Sequence, residues 1–136
     1  MSDPMIWLAI GSGGAAGAIL RGTIFRAVEL WSAREAGRGR ASDFGAARST
    51  LLVNLLGSFA LGWVIGRVGM PSASDIEPLL AFWVTGLCGA LTTFSTLCAD
   101  AMTMARSHGH RHAAVVILAN ALCGIGALAL GLAIGT

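Results

Sequence analysis

The run Gly86-Leu87-Cys88-Gly89-Ala90-Leu91-Thr92-Thr93-Phe94-Ser95-Thr96 is broken by glycine and rich in hydroxyls, yet it sits inside a segment apolar enough to cross a bilayer. A helix facing only lipid has no use for such a break. Hydrocarbon leaves exposed backbone N–H and C=O groups without partners, so irregular backbone at that depth survives only where protein or a polar path covers it. The run therefore points first to an ion pathway.

The rest of the chain supplies the membrane setting. Of 136 residues, 55% are hydrophobic and 12% charged, and the mean hydropathy is +0.74. A soluble domain of that size and composition would expose far too much apolar surface. A bilayer-crossing helix needs roughly 20 mostly apolar residues, and four stretches qualify: Met5 to Phe25, Ser49 to Val68, Leu79 to Met104 and Ala113 to Gly135. The expected fold is thus all-α, a single four-helix transmembrane domain over residues 1–136 with the third helix broken. These spans leave no room for an extramembrane catalytic domain. No nucleophile, base and orienting group converge in what remains, so an enzyme is not expected.

The first stretch lacks a basic segment ahead of it, since Met1 to Trp7 carries only Asp3, and it reads as a retained helix rather than a cleaved signal. If the four spans alternate, one side of the membrane carries Arg26, Arg34, Arg38, Arg40, Arg48, Arg106 and Arg111, and the other only Arg67. Seven against one places the arginine side in the cytoplasm and both termini outside. The expected location is a plasma membrane, in bacteria the inner membrane. A net charge of +2 gives no reason to invoke nucleic acid. Between the first two spans, the stretch around 29–48 lacks apolar periodicity and reads as a flexible connector.

Cys88, Cys98 and Cys123 fall in spans without paired spacing and read as small packing residues. His108, His110 and His112 alternate in the last short loop, but no carboxylate or cysteine completes a metal site beside them, and solvated loop histidines are the reading. Glycines recur four apart at Gly13 and Gly17, Gly62 and Gly66, and Gly131 and Gly135. Small residues at that spacing let membrane helices approach closely. The glycine-rich run from Gly11 follows no strand and is not a dinucleotide loop.

Polar residues within the spans carry the functional argument, because each is expensive there and usually faces a cavity or a partner. They are Arg21, Asn54, Thr92, Thr93, Ser95, Thr96, Asp100 and Asn120. Apart from Asp100 these are hydrogen-bond donors, an inventory suited to a small anion. A single Ser or Thr in a helix often bonds only to the preceding turn; four hydroxyls within five residues, beside a glycine-rich break, ask for more.

Those residues carry a resemblance. Gly-Ala-Ile-Leu-Arg over 17–21, Val-Asn-Leu-Leu-Gly-Ser-Phe over 53–59 and the 86–96 run together resemble the fluoride channels of the CrcB/Fluc family. The resemblance implies a four-helix subunit that pairs antiparallel with a second subunit to form a dual-pore, fluoride-selective channel for passive fluoride export. It also implies a structural sodium ion at the dimer centre, held by the backbone carbonyls of Gly89 and Thr92. On the same ground the fluoride pathway comprises Asn54, Phe94, Thr93, Ser95, Thr96, Asn120, Arg21 and Asp100. Phe94 would turn its ring edge, the positive end of the aromatic quadrupole, toward the ion. Arg21 would end the first helix near a vestibule.

Three departures from the family pattern are visible. Leu97 stands where a second pore phenylalanine is usual, Asn120 stands where a serine is usual in the fourth helix, and the chain has no tyrosine. The seven-to-one arginine bias favours an oppositely oriented paralogue as the partner, with a dual-topology homodimer as the alternative. A proton-coupled multidrug or cation exporter is the rival from another class, but its carboxylate within the first span is missing: Asp3 precedes that span and Glu29 follows it. A purely structural membrane subunit would explain the glycines and leave the polar run unexplained.

Overall fold

A computed structural model describes residues 4–35, 43–69 and 77–136, and all regular structure among them is helical. Helix α1 is Pro4–Glu35 and α2 is Asp43–Val68. Helix α3 begins as Pro78–Leu80, continues as a π-helical stretch Ala81–Cys88 and ends as Gly89–Leu91. Helix α4 is Phe94–His108 and α5 is His110–Gly135. Four stretches are long and apolar enough to cross a membrane: Pro4–Arg34, Asp43–Val68, Pro78–His108 and His110–Gly135.

The helices outrun the apolar stretches. The connector expected over 29–48 is helical at both ends, since α1 continues to Glu35 and α2 already begins at Asp43; residues 36–42, with Arg38 and Arg40, lie outside the described residues. Hydropathy marks where a chain leaves lipid, whereas helix propensity decides where the helix stops. The segment after Phe25 is rich in Ala, Arg, Leu and Glu, all good helix formers, and Arg26 lies 3.6 Å from Glu29 one turn on. Arg21 accordingly sits inside α1, not at its end. The histidines are likewise on helix ends: His108 closes α4, while His110 and His112 open α5.

Two seams set the arrangement, α2 along α5 and α1 along α3. A Cβ on Gly62 would overlap the Leu128 carbonyl oxygen, and one on Gly131 would overlap that of Phe59. Gly66 and Gly135 face each other one turn further on. In the other seam Gly13 would strike the Phe82 carbonyl and Gly17 that of Leu87, while Gly86 meets the Ile10 carbonyl. Contacts that rise together along both chains make each pair parallel, as alternating spans require. The spaced glycines of the sequence are thus backbone-to-backbone contacts, where lipid offers no hydrophobic drive and close packing must hold the helices together.

Helices α4 and α5 form a hairpin joined by Gly109 alone, at φ +90°, a conformation that L side chains avoid. Its amide donates to Ala105 O at 3.2 Å and its carbonyl accepts from the His112 amide at 3.1 Å. Beneath this turn Ala47, Ala101, Met104 and Ala113 form a small buried core. His108 is 3.8 Å from the Asp43 carboxylate and stacks edge-on against Phe44, which ties the start of α2 to the hairpin.

Candidate functional site

The third span leaves helical geometry at two residues, Thr92 (φ −77°, ψ 153°) and Thr93 (φ −148°, ψ 116°). What stabilises this departure is a side chain from α2. Asn54 Oδ1 accepts the Thr93 amide at 2.8 Å, and Asn54 Nδ2 donates back to the Thr93 carbonyl at 3.3 Å. The carboxamide therefore pairs with both backbone groups of one residue, as a neighbouring strand would. Thr93 Oγ1 then caps α4 by accepting the Thr96 amide at 3.2 Å.

Those two bonds have a consequence for the carbonyls upstream. In a continuous α-helix the Thr93 amide closes on the Gly89 carbonyl and the Thr96 amide on that of Thr92. Both amides are diverted here, to Asn54 and to the Thr93 hydroxyl respectively, so neither carbonyl keeps its helical donor. Gly89, Thr92 and Thr93 border the same open cavity of about 590 Å3, with Asn54, Phe94 and Asn120. Among the described residues no carboxylate, arginine or histidine lines it. Its polarity comes from neutral amides, hydroxyls and the N-terminus of α4, whose dipole favours negative charge.

Most of the residues named from sequence meet at this point. Thr93 Oγ1 lies 2.9 Å from Thr96 Oγ1 and 3.4 Å from Ser95 Oγ. Asn54 Nδ2 also donates to Asn120 Oδ1 at 2.9 Å, and Asn120 Nδ2 donates to Val116 O at 3.1 Å. Phe94 is 78% exposed, so most of its ring is uncovered by the rest of the chain, whereas Leu97 is buried at the cavity wall. The hydroxyls divide by role: Thr92 bonds back to Cys88 O at 3.1 Å, as an ordinary helical threonine does, while Thr93, Ser95 and Thr96 bond to one another.

Two of the named residues lie elsewhere. Arg21 is partly buried within α1 and does not border the cavity. Asp100 lies one turn beyond Leu97, the last cavity residue of α4, and accepts a 2.5 Å hydrogen bond from Thr50 Oγ1. Thr50 is fully buried and was not singled out in the sequence. Its signal was readable: Thr50, Asn54 and Ser58 recur four apart in the second span and so share one helix face. Of the cysteines, Cys88 is buried as a packing residue, but Cys98 and Cys123 are exposed on their helices.

Comparison with known proteins places this arrangement. The family model described as CrcB-like protein, Camphor Resistance (CrcB), matches residues 8–132. A protein of Methanococcus maripaludis named fluoride-specific ion channel FluC is 37% identical over 124 residues, covering 91% of this chain and 90% of the relative. One of the same name from Ignicoccus hospitalis is 37% identical, covering 93% and 90%. A third from Geobacillus kaustophilus, fluoride-specific ion channel FluC 1, is 38% identical, covering 94% and 96%. With its sequence matched from the first span through the fourth, this chain belongs to the CrcB family.

Proposed function

We propose that the protein is a fluoride-selective channel that lets fluoride leave the cell passively and so protects it from fluoride toxicity. It is a multi-pass membrane protein, and in a bacterium its place is the inner membrane; it is not an enzyme. Relatives named as fluoride-specific channels match it over nine-tenths of its length. The observation that carries the reading is the departure at Thr92 and Thr93, which leaves Asn54, Thr93 and Phe94 bordering a cavity that no charged side chain among the described residues lines. Conduction needs contacts good enough to replace hydration and weak enough to release the ion. Neutral donors and an aromatic edge meet that demand, where a lysine at the same place would hold fluoride too tightly.

In this reading Asn54, Thr93, Phe94, Ser95, Thr96 and Asn120 flank the route, with Asp100 beyond them and Arg21 raising the local anion concentration at a vestibule. A structural sodium ion fits the donor set. A hard cation takes oxygen ligands, and the Gly89 and Thr92 carbonyls are among those that lose their helical donors at the break. These carbonyls from each of two subunits would hold the ion and brace the broken third helix.

The same cavity argues for the partner. Loose carbonyls and amides cannot face acyl chains, so a second subunit, antiparallel to the first, covers them. Seven arginines against one favour an oppositely biased paralogue over a homodimer. Cysteine labelling of a residue between the first two spans in intact cells checks this: reaction from one face only is expected, and equal reaction from both faces would establish dual topology.

Transport itself is tested with the purified protein, and with its paralogue where the homomer is silent, in liposomes loaded with fluoride or chloride. Fast fluoride loss with negligible chloride loss is expected, and Phe94→Ile is expected to slow fluoride severely. Equal leakage of the two halides would defeat the selectivity claim, and full activity of Phe94→Ile would remove the ring from the route.

A further inference from the structure

The pathway reading treats Asn54 as a donor to the passing ion, but its bonds are already committed. Nδ2 has two protons; one goes to the Thr93 carbonyl and the other to Asn120 Oδ1, while Oδ1 takes the Thr93 amide. The orientation of each carboxamide is fixed independently. The Thr93 backbone presents N–H and C=O to Asn54 and admits only one flip of it. The Val116 carbonyl demands the Nδ2 end of Asn120, which leaves Asn120 Oδ1 toward Asn54.

We infer that Asn120 is a positioning residue: by accepting the second proton of Asn54 it locks the Asn54 carboxamide onto Thr93 and thereby holds the third span out of helical geometry. The inference rests on the fluoride-channel reading for its importance but not for its geometry. Asn120 is 7% exposed, and a half-filled amide pair in so buried a position is costly. The shape of the lock explains why an amide suits this position. A serine there would not span the same gap while bonding its own helix, so the longer Asn120 side chain does two jobs at once, anchoring to Val116 and reaching Asn54. The donors left for an anion are then the second amide proton of Asn120 and whichever hydroxyl protons Thr93, Ser95 and Thr96 do not share among themselves. Asn54 acts through the backbone it holds.

The test compares Asn120→Leu, which removes the acceptor at similar volume, with Asn120→Asp, which keeps an oxygen facing Asn54. The readout is nitrogen-15 NMR of the protein in lipid nanodiscs, following exchange of the Thr93 backbone amide and the Asn54 side-chain amide, alongside fluoride efflux. In the unaltered protein both Asn54 side-chain protons are expected to be protected. Asn120→Leu is expected to speed exchange at Thr93 about tenfold, the shift that one hydrogen bond of ordinary net strength controls. Asn120→Asp is expected to stay near the unaltered value there even where its added charge slows efflux. Unchanged Thr93 protection in Asn120→Leu, or Asn54 side-chain protons that exchange freely in the unaltered protein, would overturn the inference. Absence of fluoride efflux from the unaltered protein, with its paralogue present, would instead sink the channel reading and leave the lock standing.

Discussion

Asn54→Asp is expected to cut fluoride efflux by about 100-fold, the upper end of what an unsatisfied buried polar group costs, with no change in side-chain volume. The reason is the direction of three hydrogen bonds. A carboxylate keeps the Thr93 amide as a donor, but its second oxygen then faces the Thr93 carbonyl and Asn120 Oδ1, which are 3.3 Å and 2.9 Å from the nitrogen it replaces. Acceptor meets acceptor twice. If the group ionises it also sets a negative charge beside a route for an anion; if it protonates, one O–H serves only one of the two acceptors. Either form loosens the Thr93 backbone. Efflux within about threefold of the unaltered rate would show that neither donation matters to conduction.

The second large effect concerns folding. Gly131→Val and Gly62→Val are each expected to abolish recovery of a monodisperse protein from detergent extracts, because the new Cβ would overlap a backbone carbonyl oxygen across the α2–α5 seam. Overpacking against a flexible side chain costs about 1–3 kcal/mol, and backbone has less room to yield than that. The fitting control is Gly126→Ala in the same helix, where a Cβ meets nothing within 4 Å and helix propensity favours alanine by about 1 kcal/mol. That variant is expected to match or exceed the unaltered protein in melting temperature. Normal yields of both valine variants would mean that the seam opens at little cost.

Much of this architecture was legible in the sequence because apolar length and glycine spacing are local signals. Gly62 with Gly66 and Gly131 with Gly135 announce a close contact four residues apart, and the structure sets them against each other. What spacing could not supply was the pairing itself, or that Gly13 and Gly17 would meet the α3 backbone. The end of α1 is not visible in hydropathy, which drops after Phe25 where the apolar stretch ends, while Ala, Leu, Arg and Glu carry the coil on to Glu35. The π-helical winding of Ala81–Cys88 has no hydropathy signature, since it depends on which carbonyl each amide selects. In the site, the hydroxyl run and Asn54 stood out as polar residues in apolar spans. The bond from Thr50 to Asp100 joins residues fifty positions apart, and only the fold brings them together. Leu97 shows the converse: its place in the motif suggests the route, but its side chain packs into the wall.

The single-residue joint at Gly109 bears on how far the last two helices can shift. With one residue between them, α4 and α5 are held in a fixed register as a single bend. Arg106 and Arg111 flank its tip and resist passage through hydrocarbon. The bend is thereby anchored at a membrane surface, and its two arms cannot slide past one another or sink into the bilayer independently.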